Sequence, residues 1–181
     1  MADVSVRPAR LVDVEPLVEL QRRVWAALPA DIWAVPDVAD LDAAAMGRSW
    51  ERAVLVPPTP RHRLLVALDG DVVVGALALT PADDPDLRDP DSGVDELALL
   101  VVDPPYRRRG HGSRLMAAAV DVVVPDGVAT IVAWVPAADD EARSYLEGAG
   151  FAVDGAFRSV EAQGRTVREL RFVTDLGPEA A

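Results

Sequence analysis

The chain has no cysteine, two histidines and only nine aromatic Phe, Trp and Tyr residues among its 181. Without cysteine there is no disulfide, no thiolate metal ligand and no thiol nucleophile. Long apolar runs are also missing: nothing approaches the roughly 20 residues that cross a bilayer. The opening MADVSVRPAR lacks the charged-then-apolar pattern of an export signal. The expectation is therefore a cytoplasmic protein with no membrane partner. Basic residues are scarce as well, 18 Lys and Arg against 30 Asp and Glu, for a net charge of −12. Phosphate backbones are bound by basic surface, so no nucleic-acid partner is expected. Long-range attraction favours a cationic substrate or partner instead.

Half of the residues are hydrophobic, enough to bury a core, and the length fits a single domain over 1–181. Val4-Ser5-Val6-Arg7 alternates like a strand. Asp13 is a candidate N-cap, followed by apolar residues at Val14, Leu17, Val18, Val24, Trp25 and Leu28 with helical spacing. A weaker helical pattern runs from Leu41 to Leu55. HRLLVALDGDVVVGALAL reads as two strands joined at Asp69-Gly70, a strong hairpin signal. TPADDPDLRDPDSG is a loop. Its aspartates (Asp83, Asp84, Asp86, Asp89, Asp91) do not have the spacing of an EF-hand, so they are read as solvated and no metal site is expected.

VDELALLVVD reads as a central strand buried on both faces, and a helix is expected from Gly112 to about Val123. ATIVAWV is another buried strand, and DDEARSYLEGAG a helix stopped by glycine. FAVDGAFRSV and VRELRFV form an antiparallel pair about Gln163-Gly164. The order β-α-α-β-β-β-α-β-α-β-β predicts an α/β (α+β) class, a mixed sheet with helices on both faces.

The stretch VVDPPYRRRGHGSRLM, from Val101 to Met116, carries the chemistry. A strand feeding a glycine-containing turn and a helix N-terminus is an anion trap, because the first helical turn offers unpaired N–H groups. Gly110 and Gly112 admit close backbone approach. Arg107, Arg108 and Arg109 add guanidinium donors. The spacing matches neither a P-loop nor a dinucleotide fingerprint.

The run Arg107-x-x-Gly110-x-Gly112 resembles the (Gln/Arg)-x-x-Gly-x-(Gly/Ala) motif of the GCN5-related N-acetyltransferases, the GNAT superfamily. The Asp103-Pro104 lead-in, the following helix and EARSYLEGAGF with its Gly150-Phe151 ending are similar to that family too. The resemblance implies the GNAT fold, a mixed and mostly antiparallel sheet of about seven strands. It also implies acetyl-CoA as acyl donor and an amine, of a small molecule or a protein, as acceptor.

Carried over residue by residue, the amides from Arg108 to Ser113, through Arg109, Gly110, His111 and Gly112, would hold the pyrophosphate. The backbone of Leu100, Val101 and Val102 would pair with the pantetheine arm, and an N–H near Val101 or Val102 would stabilise the oxyanion. His111, at the motif's variable position, is read as a surface residue, and His62 has no expected function.

Glu96 is the candidate general base. The family's general-acid tyrosine position is occupied by Leu146. Tyr145 stands one residue earlier, in a stripe with Ala142, Leu146 and Ala149 that reads as core. Trp25, Trp33 and Trp50 are candidates for the acceptor site. An active acetyltransferase and a degenerate acetyl-CoA binder both fit these residues, and a homodimer is compatible with either.

Overall fold

The computed structural model describes residues 4–33, 41–87, 93–162 and 164–177. Its elements follow the expected order: β1 (Val4–Pro8), α1 (Val14–Ala27), α2 (Ala43–Leu55), β2 (Arg63–Asp69), β3 (Val72–Pro81), β4 (Val94–Val102), α3 (His111–Val123), β5 (Thr130–Pro136), α4 (Asp140–Gly148), β6 (Ala152–Ala162) and β7 (Arg165–Asp175). The strands form one sheet in the order β1-β2-β3-β4-β5-β7-β6. Every neighbouring pair is antiparallel except β4 and β5, which run parallel.

Alternation along the strands sorts the core into two layers. Leu17, Leu20 and Val24 of α1 pack on Val66, Leu68, Val73 and Ala76. On the opposite face, Leu115, Met116, Ala119 and Val123 of α3, with Leu146 of α4, cover Leu65, Leu77, Leu79, Leu97, Ile131 and Phe172. The α2 helix buries no residue among those described. It is held to α1 by Trp50, whose indole N–H donates to Gln21 at 2.8 Å. Among the described residues no helix is long and apolar enough to cross a membrane.

Several expectations change at the level of single residues. Asp13 has helical backbone angles and makes no side-chain cap. Its buried carboxylate instead accepts from Arg7 at 2.6 and 2.9 Å and from the Arg10 N–H. Asp84 is not solvated, because it is buried against Arg171. Ala149 is exposed, so the apolar stripe of α4 ends at Leu146. Asp89, Asp91 and Gln163 lie outside the described residues.

The largest departure is in β4. Its first half is buried, but from Ala98 onward the strand is open. Ala78 pairs with Leu99 and Leu79 with Leu97, so Ala98 is the extra residue of a β-bulge. Bulges bend the strand and raise its twist. Pairing of β4 with β5 stops at Glu96–Val132, two residues before that bulge, while β5 continues along β7 as far as Pro136. The two parallel strands therefore part like a V with Glu96 at its vertex.

Candidate active site

The opening of the V leaves one edge of β4 from Leu97 to Val102 without a neighbouring strand, although the other edge is paired with β3 up to Val102–Gly75. An exposed strand edge is a template for an extended ligand carrying amide groups. Of the three residues expected along it, Leu100 and Val102 turn their N–H and C=O groups to this edge, whereas those of Val101 face β3.

Beyond Val102 the chain turns through Pro104–Tyr106 into α3. Asp103 anchors this turn, accepting a hydrogen bond of 2.9 Å from Nε of Arg23 of α1, whose Nη2 lies 2.9 Å from the same carboxylate oxygen. Arg108 has φ +59 and is the one described non-glycine residue in the left-handed region, a conformation that L-residues adopt only under constraint. Gly110 follows at φ +83 as the N-cap of α3. Among the described residues, none of the six N–H groups from Arg108 to Ser113 donates to a protein acceptor, whereas the Arg114 N–H already bonds the Gly110 carbonyl. Six consecutive free amides at a helix N-terminus are a cradle for an anion. The cradle and the free β4 edge together fit a ligand with a phosphate end and an amide-bearing arm.

The three arginines divide. Arg107 turns back and donates from Nε to the Val102 carbonyl at 3.2 Å. Arg109 lies over the Tyr106 ring at 5.3 Å, and Arg108 is exposed. Two guanidiniums are thus left at the cradle's rim.

Glu96 is half-buried on the face that also carries Trp134, Glu169, Arg158 and Arg171, as the cross-strand pairs require. Burial pushes its carboxyl above the ordinary range. The charge of Arg158 opposes that shift, and Glu169, Asp84 and Asp83 reinforce it. No described residue donates a hydrogen bond to it. An unpaired carboxylate of raised basicity at the vertex is suited to taking a proton from an amine.

The sequence model of the acetyltransferase (GNAT) family matches residues 26–151. The chain belongs to that family. Its acyl donor is acetyl-CoA. YncA from Salmonella typhimurium, solved with acetyl-CoA, is similar over 98% of this chain and 96% of its own, with TM-score 0.70 and 18% identity. PaiA N-acetyltransferase from Thermoplasma acidophilum, in complex with coenzyme A, gives TM-score 0.71 at 16% identity, with 92% and 98% covered. A ribosomal-protein-alanine N-acetyltransferase from Brucella melitensis gives 0.73 at 19%, with 95% and 99% covered. Comparison with curated proteins gives no match.

Other expected site residues of this GNAT acetyltransferase fall in distinct places. His111 is a correction: it is 2% exposed and lies edge-on to Tyr106 at 6.2 Å, because the first residue of α3 faces the sheet. Burial lowers its pKa. His62 sits in a loop with Nδ1 2.9 Å from the Thr59 hydroxyl.

Trp25 and Trp50 come together with Gln21 against Leu99 and Val101, around a cleft of only about 10 Å³, which is about the room of one water. Trp33 lies apart, donating its indole N–H to Asp139 at 2.6 Å. That aspartate also caps α4 through the Ala142 N–H.

The motifs did not point to Trp134, Arg158, Glu169 and Arg171. Arg158 stacks on Trp134 at 4.4 Å and bonds Glu169 at 2.6 Å. Arg171, 7% exposed, is bonded to Asp84 and Asp154. Alternation in ATIVAWV and VRELRFV places these side chains on one face, and that was the available signal. A polar face on an alternating strand reads as solvated until its neighbours are known.

Proposed function

We propose that this chain transfers the acetyl group of acetyl-CoA to a primary amine by direct attack, with Glu96 as general base. The observation that supports it most is the unpaired carboxylate at the vertex of a strand edge that runs into six free amides. In this reading the amides from Arg108 to Ser113 hold the pyrophosphate, with Arg108 and Arg109 at the rim, and the β4 edge aligns the pantetheine. Acetyl-CoA supplies a thioester whose carbonyl carbon the amine attacks. Glu96 takes the ammonium proton, directly or through a water, so that the nitrogen lone pair is free. The backbone N–H of Val102, which faces the gap while that of Val101 faces β3, donates to the oxygen on which charge develops. Leu146, 4% exposed in the core, offers no proton to the departing sulfur. A thiol of pKa about 8.5 departs adequately as thiolate.

The buried Leu146 also favours a second reading, a member of the family that binds acetyl-CoA without turnover. Thiol release measured over a panel of amines separates the two. Release with at least one amine supports the enzyme, and its absence with every amine, in a protein that binds CoA, supports the second reading.

The acceptor side carries excess negative charge. Three carboxylates, of Glu169, Asp84 and Asp83, act on Glu96 against one guanidinium, that of Arg158. We therefore favour a cationic amine, taken as one domain acting on a small molecule or a basic peptide end. Trp134 provides a wall on the open face, and the narrow space between Trp25 and Trp50 points away from an acceptor beneath α1. With such an acceptor kcat/KM is expected to fall as salt is raised from low ionic strength, since screening shortens the reach of the field. A best substrate that is anionic, or a rate indifferent to salt, would contradict this.

The cradle has its own test. A Cβ on Gly110 would lie 2.7 Å from the Arg114 guanidinium at a left-handed φ, and one on Gly112 would stand 3.3 Å from the Tyr145 hydroxyl. Valine at both positions is expected to weaken CoA binding more than about tenfold, since valine is strongly disfavoured at positive φ. Circular dichroism should show the fold retained. Unchanged calorimetric affinity would refute the assignment.

A further inference from the structure

The ring of Tyr145 lies on the first turn of α3. Measured from the position a Cβ would take on Gly112, its hydroxyl oxygen is 3.3 Å away and its Cε2 3.4 Å. That oxygen is closed off from solvent and has no hydrogen-bond partner. A buried hydroxyl without a partner is unfavourable by about 1–3 kcal/mol, so a tyrosine serving packing alone is worse there than phenylalanine.

Burial raises the phenol's pKa, which keeps it protonated and makes it a donor in need of an acceptor. The cause of its placement is helical register. Leu146 turns into the core, and the preceding residue is rotated from it by about 100°, toward α3. The same turn of α3 presents the free amides of His111, Gly112 and Ser113. The hydroxyl thus lies against the turn of α3 that carries these amides, and among the described residues none accepts a hydrogen bond from it or from them.

Resting on the acetyl-CoA reading above, we propose that Tyr145 is a cofactor-positioning residue whose hydroxyl donates a hydrogen bond to a pyrophosphate oxygen of the cofactor on the α3 cradle. Gly112 then has a reason beyond backbone approach, because any side chain there would push the phenol off its line to the anion. The proton stays on the phenol throughout, so Tyr145 fixes the donor in place and takes no part in releasing the thiolate.

The test is calorimetric titration of CoA into the wild type and Tyr145→Phe, with melting temperatures of both free proteins and kcat at saturating acetyl-CoA. The Kd is expected to rise about tenfold or more, as for a lost hydrogen bond to a charged acceptor. The free variant should melt at the same temperature as the wild type or higher, because it has lost an unsatisfied donor. Its kcat should stay within about threefold, with the alkaline limb of the pH–rate profile unmoved.

A merely structural tyrosine cannot combine undiminished stability with weakened CoA binding. An unchanged Kd, in a protein whose wild type binds CoA, overturns this inference and leaves the proposed function standing. A wild type that does not bind CoA overturns both. A hundredfold loss of kcat with loss of the alkaline limb would make Tyr145 the acid and overturn the positioning role.

Discussion

Glu96→Gln is expected to lower kcat by about 100- to 1,000-fold, the range typical of losing a positioned general base. The replacement keeps the shape of the side chain and its place at the vertex of the V, so binding of acetyl-CoA should persist. The pH dependence makes the test specific. A base works when deprotonated, and burial raises this carboxyl above the usual range. In the wild type, activity should therefore be lost as pH falls through that raised value. In the variant this limb should vanish, leaving only the limb set by the acceptor's own ammonium group. Stability moves the other way. A carboxyl whose pKa is higher folded than unfolded favours the fold below its unfolded pKa, and that contribution is lost as pH rises through the folded value. At neutral pH the neutral glutamine should thus melt no lower than the wild type. Retention of more than about a third of kcat would remove Glu96 from the mechanism.

Arg171→Met is expected to destabilise the protein by about 3–5 kcal/mol, the cost of leaving a buried charge without its partner. Arg171 bonds Asp84 at 2.7 Å through one arm and Asp154 at 2.8 and 2.7 Å through Nε and the other. Removing it strands the buried Asp84 carboxylate and unties the segment after β3 from β6. The side of the vertex that carries Glu96 would then lose the ion-pair network beside it. A fall in melting temperature of roughly 10 °C is expected. Adding Asp84→Asn should recover part of it, because the stranded charge is gone and contacting residues couple. A drop of under about 2 °C would show that the network contributes little.

The element order was legible because it rests on local signals: the Asp69-Gly70 turn, the apolar runs, and the glycines at the end of α4. The cradle was legible for the same reason, since its residues from Arg108 to Ser113 are contiguous. What could not be read joins residues far apart in the chain. Arg171 meets Asp84 and Asp154 across 87 and 17 positions, and Arg23 meets Asp103 across 80. Nothing local distinguishes these aspartates from solvated neighbours. His111 was misread because the motif marks its position as variable. Burial there depends on which way the first residue of α3 faces, and that is settled by packing on the sheet. The α4 stripe was right at Leu146 and wrong at Ala149, where the helix has already ended.

The single surplus residue at Ala98 is a matter of parity. On a regular strand, even-numbered Glu96 would share its face with the even-numbered Leu100 and Val102. The surplus residue moves that company to the odd numbers, and Leu99 and Val101 pack with the α1 layer while Leu100 packs with the α3 layer. All four are aliphatic, so pairing Ala98 in regular register with Ala78, instead of bulging it, would exchange the two apolar sets for each other, a change that hydrophobic burial barely registers. The backbone would register it, since successive N–H groups on a strand point to opposite neighbours. Every donor meant for the gap would face β3 instead. A strand of the same length without the bulge could keep its core and its sheet and still have its oxyanion donor on the wrong side.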